Sequence, residues 1–178
     1  APDASTQRRL IREAVGLTHV VAYNRRHCAY ISQAKEWMAG ITPQAVTTQF
    51  TRWQRHDEDF TTTAVHAIDA TRYLAGDDLA TLHIEVAPAG PVRNYFLNGW
   101  TKAGARIDMV IVPDTASNCE HYTVRAAART VLVSFPQNGM IDLPGFVELH
   151  EQNKVVARKG PSDFGIDPAD QPGLGGIL

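Results

Sequence analysis

The constraint that does most to limit the fold is a change of texture at Gly76-Asp77-Asp78. Before it, apolar residues recur at helical spacing. After it, Leu82-His83-Ile84-Glu85-Val86 alternates apolar and polar side chains, the period of a half-buried strand. Helices followed by strands predict an α+β chain: N-terminal helices packed on a five- or six-stranded, mainly antiparallel sheet. Residues 1–160 read as one globular domain, and 161–178, rich in Pro, Gly and Asp, as an extended or flexible tail.

Within the helical half, Ser5 is placed to cap a helix over 6–16, with Leu10, Ile11, Ala14 and Val15 on one side. A short β-prone run, Thr18–Tyr23, follows. Cys28 to Ala39 reads as a helix with an apolar stripe of Ile31, Ala34, Trp37 and Met38. Pro43 opens another, with Val46, Phe50 and Trp53 on one face, and 61–75 forms a further helix with Val65, Ile68 and Tyr73 inward. In the second half, strands are expected around 82–86, 95–97, 107–112 and 122–135, with a bend at Asn98-Gly99. A hairpin runs from Phe146–His150 to Val155–Arg158 around Asn153-Lys154.

Composition excludes more than it selects. The 178 residues are 44% hydrophobic and 20% charged, with a net charge of −2, so no basic field marks a nucleic-acid binder. Arg8, Arg9 and Arg12 are the exception, a local arm through which nucleic acid could be met. No run of 18 apolar residues spans a membrane. The opening APDAST suggests a secreted or otherwise processed form. Gly-x-Gly-x-x-Gly, a phosphate-binding loop with lysine and Gly-x-Ser-x-Gly are all missing from the sequence.

Two cysteines frame the chemistry. Cys28 stands at a helix start behind Arg25, Arg26 and His27, where the dipole and cations favour a thiolate. A thiol nucleophile needs a histidine and an orienting amide or carboxylate. His83 lies on the first strand and Asn98 on the next. This order, Cys28-His83-Asn98, is similar to that of papain-like thiol hydrolases. The resemblance implies a small cysteine hydrolase or amidase attacking a peptide or amide carbonyl without a metal or organic cofactor. The competing reading joins Cys28 to Cys119 in a disulfide, closing a long loop. That describes a non-enzymatic, β-rich binding or assembly protein: a secreted effector, a lectin-like binder or a coat subunit, with oligomers formed through its termini. A third reading leaves both cysteines as small buried residues. Protein or peptide partners suit the first two.

Other constellations carry less. His56-Asp57-Glu58-Asp59 is contiguous and lacks zinc spacing. Glu148 and His150 share one strand face. His121-Tyr122-Thr123 has the His-x-Thr form of phosphoesterases but no second copy. Trp37 and Trp53 fit core stripes, whereas Tyr95 and Trp100 are candidates for an exposed binding surface.

Overall fold

The computed structural model describes residues 4–13, 15–16, 23–56, 61–136 and 139–166. Eight strands form one sheet in the order β2-β3-β4-β1-β5-β6-β7-β8. They are β1 (Ala45–Trp53), β2 (Leu79–Ala89), β3 (Val92–Thr101), β4 (Arg106–Thr115), β5 (Cys119–Arg125), β6 (Thr130–Ser134), β7 (Phe146–Glu151) and β8 (Lys154–Lys159). The helices are α1 (Ala4–Glu13), α2 (Ala29–Trp37) and α3 (Thr61–Ala75). Short 3-10 turns cover Asn24–His27 and Pro161–Phe164.

The five- or six-stranded, mainly antiparallel sheet predicted above is therefore corrected to an eight-stranded mixed one. The largest difference lies at residues 45–53, expected to be a helix. They form β1, the central strand, parallel to β4 and antiparallel to β5. Val46, Phe50 and Trp53 do fall at helical spacing, but three threonines (Thr47, Thr48 and Thr51) lose side-chain freedom in a helix and pack well on a pleated surface. Alternation is visible in the burial: Val46, Thr48, Phe50 and Arg52 point into the core, while Gln49 and Trp53 point out. Thr48 is tolerated inside because its hydroxyl meets that of Thr71 on α3 at 2.7 Å, and Thr71 donates to the Ala67 carbonyl at 2.7 Å.

β3 runs unbroken through Asn98-Gly99, where a bend was expected. Gly99 is needed for closeness rather than for turning: a Cβ there would lie 2.1 Å from the Thr81 carbonyl oxygen. The β7–β8 hairpin forms as expected. Its turn places Gln152 and Asn153 at φ 50° and 60°, the conformation that matches strand twist.

Helices α2 and α3 cover one face of the sheet. Helix α3 lies flat because Ala64, Ala67 and Ala70 present small side chains to the strands, with Leu74 filling the end. The inward set predicted for it, Val65, Ile68 and Tyr73, flanks that contact and is only half-buried. On α2, Tyr30, Ile31 and Ala34 are fully buried. Pro161 is buried and the Phe164 ring lies 5.1 Å from that of Tyr30, tilted by 56°, so residues 161–164 pack onto the core. The segment Thr18–Ala22, Asp57–Asp59 and residues 167–178 lie outside the described residues.

Candidate active site

The covered face holds a charge cluster where α3, the 3-10 turn before α2, β1 and β5 meet. Glu120 on β5 is fully buried. Arg25 donates to both its oxygens, from Nε to Oε1 at 3.1 Å and from Nη2 to Oε2 at 3.2 Å. Arg52 Nη2 donates to Oε2 at 2.7 Å and the Tyr122 hydroxyl to Oε1 at 2.6 Å. Burial alone would push the Glu120 carboxyl up, but Arg25, Arg52 and Tyr122 hold it below the usual carboxylate range. Two guanidiniums around one carboxylate leave the cluster positive. Their faces are used as well: Arg25 lies 4.8 Å from the Phe135 ring centroid and Arg52 3.7 Å from that of Phe50.

Beside this cluster, α3 presents His66 and, three residues on, Asp69. Residues three apart share a helix flank, here the one facing the Asn24–His27 turn. Arg26 grips Asp69 with both arms of its fork, Nε to Oδ2 at 2.6 Å and Nη2 to Oδ1. The same guanidinium stands 5.5 Å from the Tyr23 ring centroid and 5.4 Å from that of Tyr73. Asp69 is 7% exposed, so its carboxylate is held in place by Arg26 and shielded from solvent. The Nδ1 atom of His66 is buried and has no hydrogen-bond partner among the described residues. Burial lowers the pKa of His66 from its ordinary 6.5, and Arg25 lowers it further against the pull of Glu120 and Asp69. Its imidazole is therefore held toward the neutral form, with a shielded carboxylate nearby. That is the electrostatic setting of a proton acceptor.

The residues expected to form a thiol site are dispersed. Cys28 does cap α2, though without a side-chain cap hydrogen bond; the nearby amides of Tyr30 and Ile31 favour the thiolate, but burial dominates and pushes the thiol up to about 11. The inert thiol follows from desolvation outweighing the helix dipole. His83 and Asn98 are cross-strand partners on β2 and β3. Cys28 instead faces Glu120 on β5, and β2 and β5 are four strand spacings apart, roughly 19 Å. Both cysteines are free, so the expected Cys28–Cys119 disulfide is also corrected; Cys119 Sγ lies 3.1 Å from the Thr51 hydroxyl. Tyr95 and Trp100 sit on opposite faces of β3, five residues apart. Tyr95 packs against the core, and Trp100 is 47% exposed beneath Arg106, so they form no common surface. Trp53, expected in the core, is exposed on the open face.

The minor constellations resolve plainly. His56 pairs with Asp114 at 3.0 Å, and Glu148 takes His150 at 3.1 Å and Arg158 at 2.8 Å. His121 bonds Asp142 at 2.6 Å in a groove of about 600 Å³ on the open face. Among the described residues no group of three or more His, Cys, Asp or Glu is placed to hold a metal ion. No helix among them is long and apolar enough to cross a membrane. Arg8, Arg9 and Arg12 are exposed on α1, and Arg9 lies 3.7 Å from Glu13. The sequence points to Arg25 and Arg26 as cations near Cys28, and gives no motif that marks His66, Asp69 or Glu120. The available signal was His66-x-x-Asp69 inside a segment already read as a helix.

No protein-family model and no curated protein matches the sequence. Solved structures do. A dehydrogenase (MviM) from Clostridium difficile superposes with a TM-score of 0.71 at 16% identity, covering 90% of this chain and 52% of its own. The UDP-N-acetylglucosamine 3-dehydrogenase GnnA from Acidithiobacillus ferrooxidans gives 0.70 at 13% identity, over 97% and 54%. KijD10, a 3-ketoreductase from Actinomadura kijaniata in complex with NADP, gives 0.67 at 15%, over 89% and 52%. The fold is one that oxidoreductases use. The chain spans about half the length of these structures. Likeness to dehydrogenases and reductases overturns the cysteine hydrolase expected from Cys28-His83-Asn98. It overturns equally the non-enzymatic secreted effector, lectin-like binder or coat subunit.

Proposed function

We propose that this chain is the substrate-binding part of an NAD(P)-dependent oxidoreductase acting on a hydroxyl or keto group of a sugar-like molecule, with His66 exchanging the proton. One observation carries the reading: a neutral, half-buried histidine with an unpartnered Nδ1, flanked by a shielded Asp69 and a net-positive Arg25–Arg52–Glu120 cluster. The similar structures support it. They include the UDP-N-acetylglucosamine 3-dehydrogenase, a levoglucosan dehydrogenase in complex with NADH and an aldose-aldose oxidoreductase from Caulobacter crescentus. These are oxidoreductases of the Gfo/Idh/MocA class.

The described residues do not themselves fit a dinucleotide. Binding its pyrophosphate takes a parallel sheet and a glycine-rich turn from strand to helix. Here the sequence lacks Gly-x-Gly-x-x-Gly, and β1–β4 is the single parallel pair among the described strands. The chain's share of the reaction is therefore the substrate and its proton. An alcohol being oxidised must lose its hydroxyl proton, and the neutral imidazole of His66 accepts it. The imidazolium so formed is steadied by Asp69, which Arg26 holds in place. Reduction of a ketone runs the same transfer backwards.

The test is His66→Ala and His66→Gln in the intact protein, followed by NAD(P)H absorbance with sugar substrates. Loss of a general base should lower kcat about 100-fold or more with little change in KM. In the unaltered protein kcat/KM for oxidation should fall as pH drops through the His66 pKa, which lies below 6.5, and level off above it. An unchanged rate and pH profile in both variants would sink the assignment.

A further inference from the structure

About 10 Å further along α3 from His66, at the level of Tyr73, lies a concavity on the same side of the molecule. It has a volume of about 450 Å³ and is lined by Arg26, Lys35, Arg72, Tyr73, Asp77 and Asp78, with Gly76 at its base. The two carboxylates on its wall are already engaged. Asp78 takes Arg72 at 2.5 Å and Lys102 at 3.1 Å, and Asp77 accepts from the Ala103 amide at 2.5 Å. Arg26 is anchored by Asp69. Lys35 differs: no carboxylate lies within ion-pair distance of it among the described residues.

The Lys35 ammonium stands 5.5 Å from the Tyr73 ring centroid and close over Gly76, where a Cβ would come within 2.6 Å of Nζ. Burial lowers its pKa, so the charge is partly stripped of water without a counter-ion to compensate. Arg26, clamped by Asp69, and Arg72, paired with Asp78, face the same space. Counting Asp69 and Lys102, four cations meet three carboxylates around the cavity, leaving one positive charge.

We infer that this pocket binds an anionic oxygen group, a phosphate or a carboxylate, on the part of the substrate remote from the reacting carbon, with Lys35 as its principal partner. The inference rests on the reading of His66 as the reacting end and deepens it. The substrate would be a sugar carrying an acidic substituent, fixed at two points about 10 Å apart on α3. A lysine supplies a mobile point charge and the arginines a rigid fork, a combination suited to phosphate oxygens.

Calorimetric titration of the chain with inorganic pyrophosphate and, separately, glucuronate tests it. Saturable binding of either supports the site, and which one binds identifies the anion. Lys35→Met, which keeps the apolar stem over Tyr73, should weaken binding at least about tenfold, whereas Lys35→Arg should retain most of it. Raising the salt concentration should weaken binding further. The amide signal of Gly76 in NMR should move on titration, placing the ligand at the pocket rather than at α1. No saturable binding of either anion, or equal affinity in Lys35→Met, overturns the inference. His66→Ala should bind both probes as the parent chain does. Failure of the catalytic reading would therefore leave this result standing, and failure of the anion site would leave the His66 pH profile standing.

Discussion

The two faces of the sheet carry charge in opposite ways. On the helix-covered face Glu120 is sealed from water and receives four hydrogen bonds from Arg25, Arg52 and Tyr122. On the open face ion pairs such as Arg106–Asp108 at 2.9 Å, or Arg158–Glu148 at 2.8 Å, stand in or near solvent. Distances are similar, yet the energetics are not. A buried charge that loses its partner cannot turn to water, while an exposed one can. The comparison teaches that the charges which depend most on their partners lie beneath α3, whereas the open face mixes solvated ion pairs with exposed apolar side chains such as Trp53, Trp100 and Val110.

The largest effect should come from Glu120→Ala, which strands two buried guanidiniums. A loss of about 3–5 kcal/mol in unfolding free energy, read by denaturant titration, is expected. The pH dependence has a definite sign. Because the folded pKa of Glu120 is depressed, its contribution is fully present above the ordinary carboxylate value of 4.5 and disappears as pH falls through the folded value. The parent chain should lose stability below about pH 4 through this group, and the variant should lack that component.

Next in size is Thr71→Val, which removes the hydroxyl that satisfies Thr48 on the core side of β1. It should cost about 1–3 kcal/mol, and the double variant with Thr48→Val should cost less than the sum of the two singles. Asp108→Asn on the open face should leave the denaturation midpoint close to that of the parent, with any shift abolished by high salt. If it destabilised the protein as much as Glu120→Ala, the contrast between the faces would fail. The smallest expected signal is chemical. With its thiol pushed up to about 11, Cys28 should resist iodoacetamide at pH 7 in the folded chain and label only after denaturation. Rapid labelling in the native state would show that the covered face is open to solvent.

Sequence reading caught the local grammar of the fold where one element answers to one pattern. The helix over 61–75, the β7–β8 hairpin and the strand at β2 were all legible, although β2 is exposed on both faces over 82–86 rather than half-buried as its alternation predicts. It failed where two patterns coincided. Val46, Phe50 and Trp53 satisfy a helical spacing, while the threonines among them prefer a strand, and only pairing with β4 and β5 decides between the two. The strand count fell short for a related reason, since a central parallel pair has no local turn to announce it. At the candidate site, Cys28 stands out through its charged neighbours, and those neighbours are the ones that pair with buried carboxylates. Arg25 turns to Glu120 across 95 residues of chain and Arg26 to Asp69 across 43, separations that no short motif encodes. The alanines of α3 were legible as helix formers, but not as the flat side that fixes where His66 points.

The position of β1 also sets the order in which the molecule can assemble. Its partners are remote in sequence on both sides: Ala45 is registered with Arg106 on one flank and with Arg125 on the other. The hairpins β2–β3, β5–β6 and β7–β8 can close early, because their strands are joined by short turns. The strand that unites them must wait for two loops of some 60 residues or more to close, and loop closure is entropically costly before the contacts that reward it exist. The Arg25–Glu120–Arg52 cluster spans the same seam. Formation of the candidate active site should therefore coincide with the last, rate-limiting step of folding, so the chain acquires its chemistry only when the two halves of the sheet have joined.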